Sequence, residues 1–330
     1  MNRRQYLTRT CASTGLLASV AGCLGDLGGS SDADGGDADV DSRAGERAID
    51  RAAGKLNEAA QSLSELGDLG NPEDVAFDPA EPRTRISEAR DHLETAESEL
   101  GEDRQADVET LRSYADALEG LIDVTVIVTD DTVSDDIDTV TTAIEEDGDI
   151  ETASQTAHGR YQDISAATDR FEAANATIQD LDGDRLETLT GVALTELEEG
   201  ANALGSAVAS LETLAAAYDS TLDTDAGYGA LERGRAGFEN GSYEAAQTEF
   251  ETAESTFANA RSDLESGTEN APEGLVTYFE TAACQTRRLA TAAGAFADAA
   301  GAAASGDPIT ARDRKDDGEA ALEKIGTCTN

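Results

Sequence analysis

From residue 45 onward, apolar side chains recur at alternating steps of three and four residues. Ile49, Ala52, Leu56, Ala59, Leu63 and Leu66 form one such row, and Ile86, Ala89, Leu93, Ala96 and Leu100 a second. Val108, Leu111, Ala115, Leu118 and Ile122 make a third. The longest runs Leu194, Leu197, Ala201, Leu204, Val208, Leu211, Ala215, Tyr218 and Leu222, and another runs Tyr243, Ala246, Phe250, Ala253, Phe257, Ala260 and Leu264. This spacing places each row on one stripe of a helix. Such stripes bury against neighbouring helices at shallow crossing angles, and alternation of Ala with Leu or Phe lets the axes approach at the small positions. The pattern predicts an all-α fold. Long antiparallel helices in hairpins would form a helical bundle or an irregular solenoid.

Punctuation between the rows sets the expected boundaries. Gly67, Gly70, Pro72, Pro79 and Pro82 fall in one irregular loop, because Gly and Pro break helices. Residues 130–138 are an acidic break, with Ser134 as candidate N-cap. Asp182-Gly183-Asp184 and residues 223–229 read as turns. Residues 270–274 precede a helix expected from about Leu275 to Ala304, and Asp307-Pro308 reads as N-cap and first helical position of the next. Residues 122–129 are β-branched enough for a strand. No turn signal precedes them and no second such run exists to pair with, so they are read as a helix end. The same point argues against a two-lobed α/β solute-binding fold. The division expected is an N-terminal helical part, 45–129, and a helical-hairpin domain, 135–330.

Within the latter, Gly234 to Ala253 reads GRAGFENGSYEAAQTEFETA. Gly241, Tyr243, Ala246, Phe250 and Ala253 resemble the second half of a tetratricopeptide repeat, and Gly234 matches the small residue of its first helix. The Gly permits the tight turn and the alanines let one helix lie on the other. Gly237 departs from the pattern where an aromatic is usual, as does Ala258 where a Pro is usual. Weaker echoes begin at Gly148 and Gly306, at intervals that exclude a regular tandem array. The resemblance covers about one hairpin, residues 227–266, and implies a protein-binding surface. A groove lined by Tyr228, Phe238, Tyr243 and Phe250 is the place to look for a partner, although aromatics in such a pattern are more often core than groove.

The N-terminus changes the picture. Arg3-Arg4-Gln5-Tyr6-Leu7 opens a weakly apolar stretch that ends Val20-Ala21-Gly22-Cys23. A twin arginine at the start is an export address, and the small residues before Cys23 resemble a lipobox. Residues 1–22 would then be a cleaved signal peptide, with Cys23 lipidated. Residues 23–44, rich in Gly, Asp and Ser, read as a flexible, self-repelling tether with an r.m.s. reach of roughly 25 Å. They lack the Gly and Glu spacing of an EF-hand loop, and so does the Asp180-Asp182-Asp184 run.

Charge narrows the partners. The chain carries 69 Asp and Glu against 24 Lys and Arg, a formal net charge of −45. Removing residues 1–22 takes away Arg3, Arg4 and Arg9 and no acid, which leaves −48. Nucleic acid, which needs a basic footprint, is excluded as a partner, and docking on anionic lipid is disfavoured. Self-repulsion on this scale opposes a compact state in dilute buffer. In molar salt the Debye length falls to about 3 Å and the penalty largely disappears. Excess acid, only Lys55, Lys315 and Lys324 as lysines, and the twin-arginine lipobox together resemble the exported lipoproteins of haloarchaea.

Little else carries chemistry. Cys11 leaves with the signal, so Cys284 and Cys328 remain and suggest one disulfide in an oxidising compartment. His92 and His158 have no ligand-spaced partner, so no metal site is expected. No nucleophile elbow, P-loop or dinucleotide-binding glycine pattern is present, so neither a cofactor nor catalysis is expected. Asn175-Ala-Thr177 and Asn240-Gly-Ser242 fit the N-glycosylation acceptor pattern. The expectation is a non-enzymatic, lipid-anchored helical protein of the outer membrane face, held by lipid through Cys23, that binds another protein. The alternative is a helical solute- or metal-binding lipoprotein of a transport system. Lowering salt towards about 0.1 M, where the Debye length is about 10 Å, should melt the helical circular dichroism; an unchanged spectrum would remove the halophile reading.

Overall fold

The computed structural model of the chain describes residues 38–66, 75–146 and 149–328. Among these residues every regular element is a helix, so the fold is all-α as the periodicity predicts. The export signal and Cys23 lie outside them. Helix α1 (Ala38–Ser64) begins inside the stretch expected to be tether, taking in residues 38–44. Once a helix is nucleated, each added residue gains a hydrogen bond, so α1 extends backward past its apolar row.

Helices α1 and α2 (Ala80–Glu99) pair through the predicted rows. Ile49, Ala52, Leu56 and Ala59 meet Ile86, Ala89, Leu93 and Ala96, all at most 1% exposed. Helix α3 (Gln105–Val128) is apolar on two faces. Val108, Leu111, Tyr114, Leu118 and Ile122 complete the core with α1 and α2, while Ala117, Leu121, Val124 and Val128 enter a second, larger core. The β-branched run is therefore the end of a helix buried on both sides. Burial on two faces, not strand formation, explains its continuous hydrophobicity.

The second core is built by a row of helices, each lying on the next: α3, α5 (Ile150–Gln179), α7 (Leu194–Leu222), α9 (Tyr243–Thr268), α10 (Val276–Ala304) and α11 (Pro308–Leu322). Helix α4 (Thr132–Glu146) flanks α5, and α8 (Tyr228–Glu239) flanks α9. Asp149 and Asp307 cap α5 and α11, accepting from the N–H groups of Thr152 and Thr310 at 3.1 Å each. The expected acidic break is shorter than residues 130–138. Helix α4 already starts at Thr132, and Asp130 rather than Ser134 accepts from its N-terminal N–H, at 2.9 Å. Within the expected turn at 182–184 a short helix, α6 (Gly183–Thr190), already begins, with Asp182 as its cap. Asp107 on α3 accepts from Arg104 and from Arg185 of α6, both at 2.5 Å.

Four phenylalanines join this row in one way. Phe171 of α5 lies on Gly205 of α7, Phe250 of α9 on Gly234 of α8, Phe279 of α10 on Gly267 of α9, and Phe296 of α10 on Gly318 of α11. A methyl group at any of these glycines would collide with the ring. At Gly234 it would stand 2.6 Å from two carbons of Phe250, a ring that is 1% exposed and cannot withdraw.

Cys284 of α10 is bonded to Cys328, which follows a single 3-10 turn at 325–327. The Cα atoms are 5.7 Å apart, across a sequence separation of 44. Loop-closure entropy gives this link about 4 kcal/mol. Reduction should lower the unfolding free energy by up to that amount in chemical denaturation at high salt, and an unchanged midpoint would contradict it. Glycine replacements should split by sign. Gly234→Ala should destabilise by about 1–3 kcal/mol through overpacking. Gly54→Ala, mid-helix with nothing within 4 Å, should stabilise by about 0.5–1 kcal/mol through helix propensity. Destabilisation of the same size at both positions would show that propensity and packing are not what separates them.

Candidate functional site

Two hairpin turns lie side by side and frame a cleft. The first closes α8 onto α9 and the second closes α10 onto α11. Gly241 and Gly306 take the left-handed conformation, at φ 77° and 80°, which a residue with a Cβ adopts only under strain. Each helix end is finished by the same pair of hydrogen bonds. Ser242 N–H donates to Gly237 at 2.9 Å and Gly241 N–H to Phe238 at 3.1 Å, while Asp307 N–H donates to Ala302 at 2.9 Å and Gly306 N–H to Ala303 at 3.0 Å. This is the Schellman arrangement, which satisfies the terminal carbonyls and reverses the chain within a few residues.

The cleft has a volume of about 490 Å³ and is lined by Phe238, Tyr243, Ala303, Gly306, Pro308, Ala311, Arg312 and Lys315. Phe238 and Tyr243 form its aromatic wall, edge to face, with ring centroids 5.3 Å apart. Pro308, at the first position of α11, and Ala311 form the opposite wall, from which Arg312 and Lys315 reach out. The Lys315 ammonium is held by Glu319, one turn on, at 2.5 Å. Among the described residues Arg312 has no hydrogen-bond or ion-pair partner. The lining therefore carries two cations and no carboxylate, in a chain whose acids outnumber its bases almost three to one. Such a surface can hold a carboxylate against Arg312 by a charge-assisted, two-pronged contact while an apolar group rests on the aromatic pair.

The four aromatics expected to line one groove divide. Phe238 and Tyr243 line the cleft, but Tyr228 and Phe250 are 5% and 1% exposed and belong to the core. Tyr228 packs on Phe257 with centroids 6.2 Å apart, and Phe250 on Phe296 at 5.4 Å. The reason is register. Phe250 shares the buried row of α9 with Ala246, Ala253 and Phe257, and its ring fills the Gly234 notch. Arg312, Lys315 and Pro308 were not among the expected site residues. Their sequence signals were the rarity of lysine and the Gly306-Asp307-Pro308 turn, but only the packing of α11 on α10 brings them opposite Phe238.

A second cleft, of about 290 Å³, lies between α4, α7 and α10 beside the disulfide; Asp138, Thr141, Tyr218, Tyr278, Glu280 and Cys328 are among its lining residues. The Tyr218 hydroxyl is 3.3 Å from that of Thr141. Burial pushes its phenol up to about 12, with the Thr141 hydrogen bond opposing and the Glu145 and Asp138 carboxylates adding to the rise, so it stays protonated at neutral pH.

The remaining expected residues fall as follows. His158 Nδ1 lies 3.1 Å from Asp219 and its Nε2 is 2.8 Å from Gln162, on the exposed side of α5. His92 is half-buried on α2. Among the described residues no group of three His, Cys, Asp or Glu could hold a metal ion, and no helix is long and apolar enough to cross a membrane. Asn240 sits exposed at the α8–α9 turn, whereas Asn175 is half-buried within α5. Arg3, Arg4 and Cys23 lie outside the described residues. No family model, curated protein or solved structure matches the chain.

Proposed function

We propose that this chain is an exported, lipid-anchored helical protein of the outer membrane face that works by binding, and that an acidic segment of a partner protein docks in the cleft between the two hairpin turns. The address rests on Arg3-Arg4 and on Val20-Ala21-Gly22-Cys23. The resemblance of residues 227–266 to a tetratricopeptide hairpin supports a protein partner. The observation that carries the docking site is the cleft's own chemistry, Arg312 and Lys315 facing Phe238 and Tyr243 with no acid between them. Proteins that share this chain's environment would share its acidic surface, so a cationic, aromatic-walled cleft is complementary to what surrounds it. The volume of about 490 Å³ also suits a small anionic solute, which favours delivery to a transporter as the second reading.

One chain of lipid gives marginal membrane binding, so firm retention needs a two-chain modification or the partner itself. Cross-linking mass spectrometry on intact cells at native salt tests the whole reading. The wild type should sediment with membranes and cross-link to a dominant partner through residues 227–315. Cys23→Ser should release the protein, and its retention would overturn the anchor. Arg312→Glu should cut the partner's cross-links about tenfold, the equivalent of about 1.4 kcal/mol for a lost charged contact, without changing the circular dichroism. Undiminished cross-links would move the partner away from the cleft. Thermal stabilisation by small carboxylates at fixed salt, with no protein cross-link, would favour the solute reading.

A further inference from the structure

The sequence offers two N-glycosylation acceptor motifs, and the fold separates them. Asn175 lies within α5, where it is half-buried, and the hydroxyl of Thr177 is spent on the Ala173 carbonyl at 3.0 Å. Asn240 and Ser242 instead occupy the α8–α9 turn, and both are exposed. The backbone of Asn240 is consumed by the helix end, its N–H donating to Ala236 at 3.1 Å, but its carboxamide has no hydrogen-bond partner among the described residues. Ser242 stands at the N-cap of α9, a position where a serine hydroxyl ordinarily accepts from the first turn. Here it makes no such bond, whereas Asp149, Asp182 and Asp307 use their side chains as caps. The intervening Gly241 has φ 77°, and a Cβ placed on it would meet nothing within 4 Å, so the turn projects into open space.

We infer that Asn240 is a site of N-linked glycosylation and that Asn175 is not. Both polar groups the acceptor motif requires are free at Asn240, on a surface turn of the kind such motifs occupy when used. The donor class is a sugar chain carried on a lipid phosphate. Asn240 Nδ2 forms a bond to the anomeric carbon as the bond from that carbon to the phosphate oxygen breaks. The phosphate leaves with the electron pair, still on its lipid, and one amide proton passes to the transferase's base. Asn240 lies between Phe238 and Tyr243 in sequence, so the glycan would stand at the rim of the cleft.

The inference rests on export, and peptide mapping of the protein purified from its own membranes reads both. The tryptic peptide 236–261 should carry an intact glycan and peptide 171–185 should carry none. Asn240→Gln and Ser242→Ala should each abolish the modification, while Ser242→Thr should keep it. The circular dichroism of all three variants should match the wild type. A 236–261 peptide recovered unmodified, or bearing only deamidation at Asn240, overturns the assignment, as does a glycan on 171–185 alone. The N-terminal peptide keeps the two failures distinct. A chain that begins at Cys23 with Asn240 bare refutes glycosylation and leaves export standing, whereas residues 1–22 still attached refute export itself.

Discussion

The helix row depends on rings set into glycine notches. With an aromatic content of 4%, the chain cannot fill its core by bulk, and most buried positions are alanine or leucine. In each Phe–Gly contact the edge of the ring occupies the space a Cβ would take, which fixes the stagger of the two helices. Phe171 with Gly205, Phe279 with Gly267 and Phe296 with Gly318 do this at three junctions of the row, α5–α7, α9–α10 and α10–α11, and Phe250 with Gly234 does it where α8 flanks α9. A helical glycine costs about 1 kcal/mol in propensity, while burying an aromatic side chain returns more than that. The exchange favours the notch only where the ring seats fully, as Phe250 and Phe279 do.

The same stagger sets the cleft. Phe296 on Gly318 holds α11 against α10, and Phe250 on Gly234 holds α8 against α9. The packing of α9 on α10, through Phe250 on Phe296 and Phe279 on Gly267, sets the two hairpins beside one another, with the Phe238–Tyr243 pair facing Arg312 and Lys315. Polar contacts contribute less to shape. The ion pairs that tie α1, α2 and α3 together, such as Lys55–Glu88 and Arg90–Glu119, are largely exposed, and pairs of that kind add little each.

Helix class and the main boundaries were legible because a three-four apolar spacing and Gly, Pro or Asp punctuation act locally. The Asp307 cap, the ends of α7 and α10, and the helical reading of residues 122–129 follow from that. The cysteine pair was legible because two thiols were left once Cys11 and Cys23 were assigned to the expected signal and lipobox. What the pattern could not reveal is which row faces which. Tyr228 and Phe250 suit a groove or a core in one dimension; the apolar row of α9 already favours core for Phe250, and the notch at Gly234 is what its ring fills. Glycines such as Gly205 and Gly318 carry no periodic signal, since their role belongs to a ring on another helix. Helix α6 was hidden for a different reason, being too short for a period to register. The start of α1 at Ala38 was hidden because propagation, not amphipathicity, sets it.

Helix α3 has a consequence for how the molecule comes apart. Its Leu111–Leu118 face belongs to the α1–α2 core and its Leu121–Val128 face to the larger one. Releasing α1 and α2 would bare one side of α3 to water, and releasing the α5–α11 row would bare the other. Neither half can therefore be lost without exposing apolar surface on an element the other half needs. The two cores are thus thermodynamically coupled through α3, and with the end of α11 tied back to α10 by Cys284–Cys328 the chain should unfold as one cooperative unit, with local loosening left to the turns.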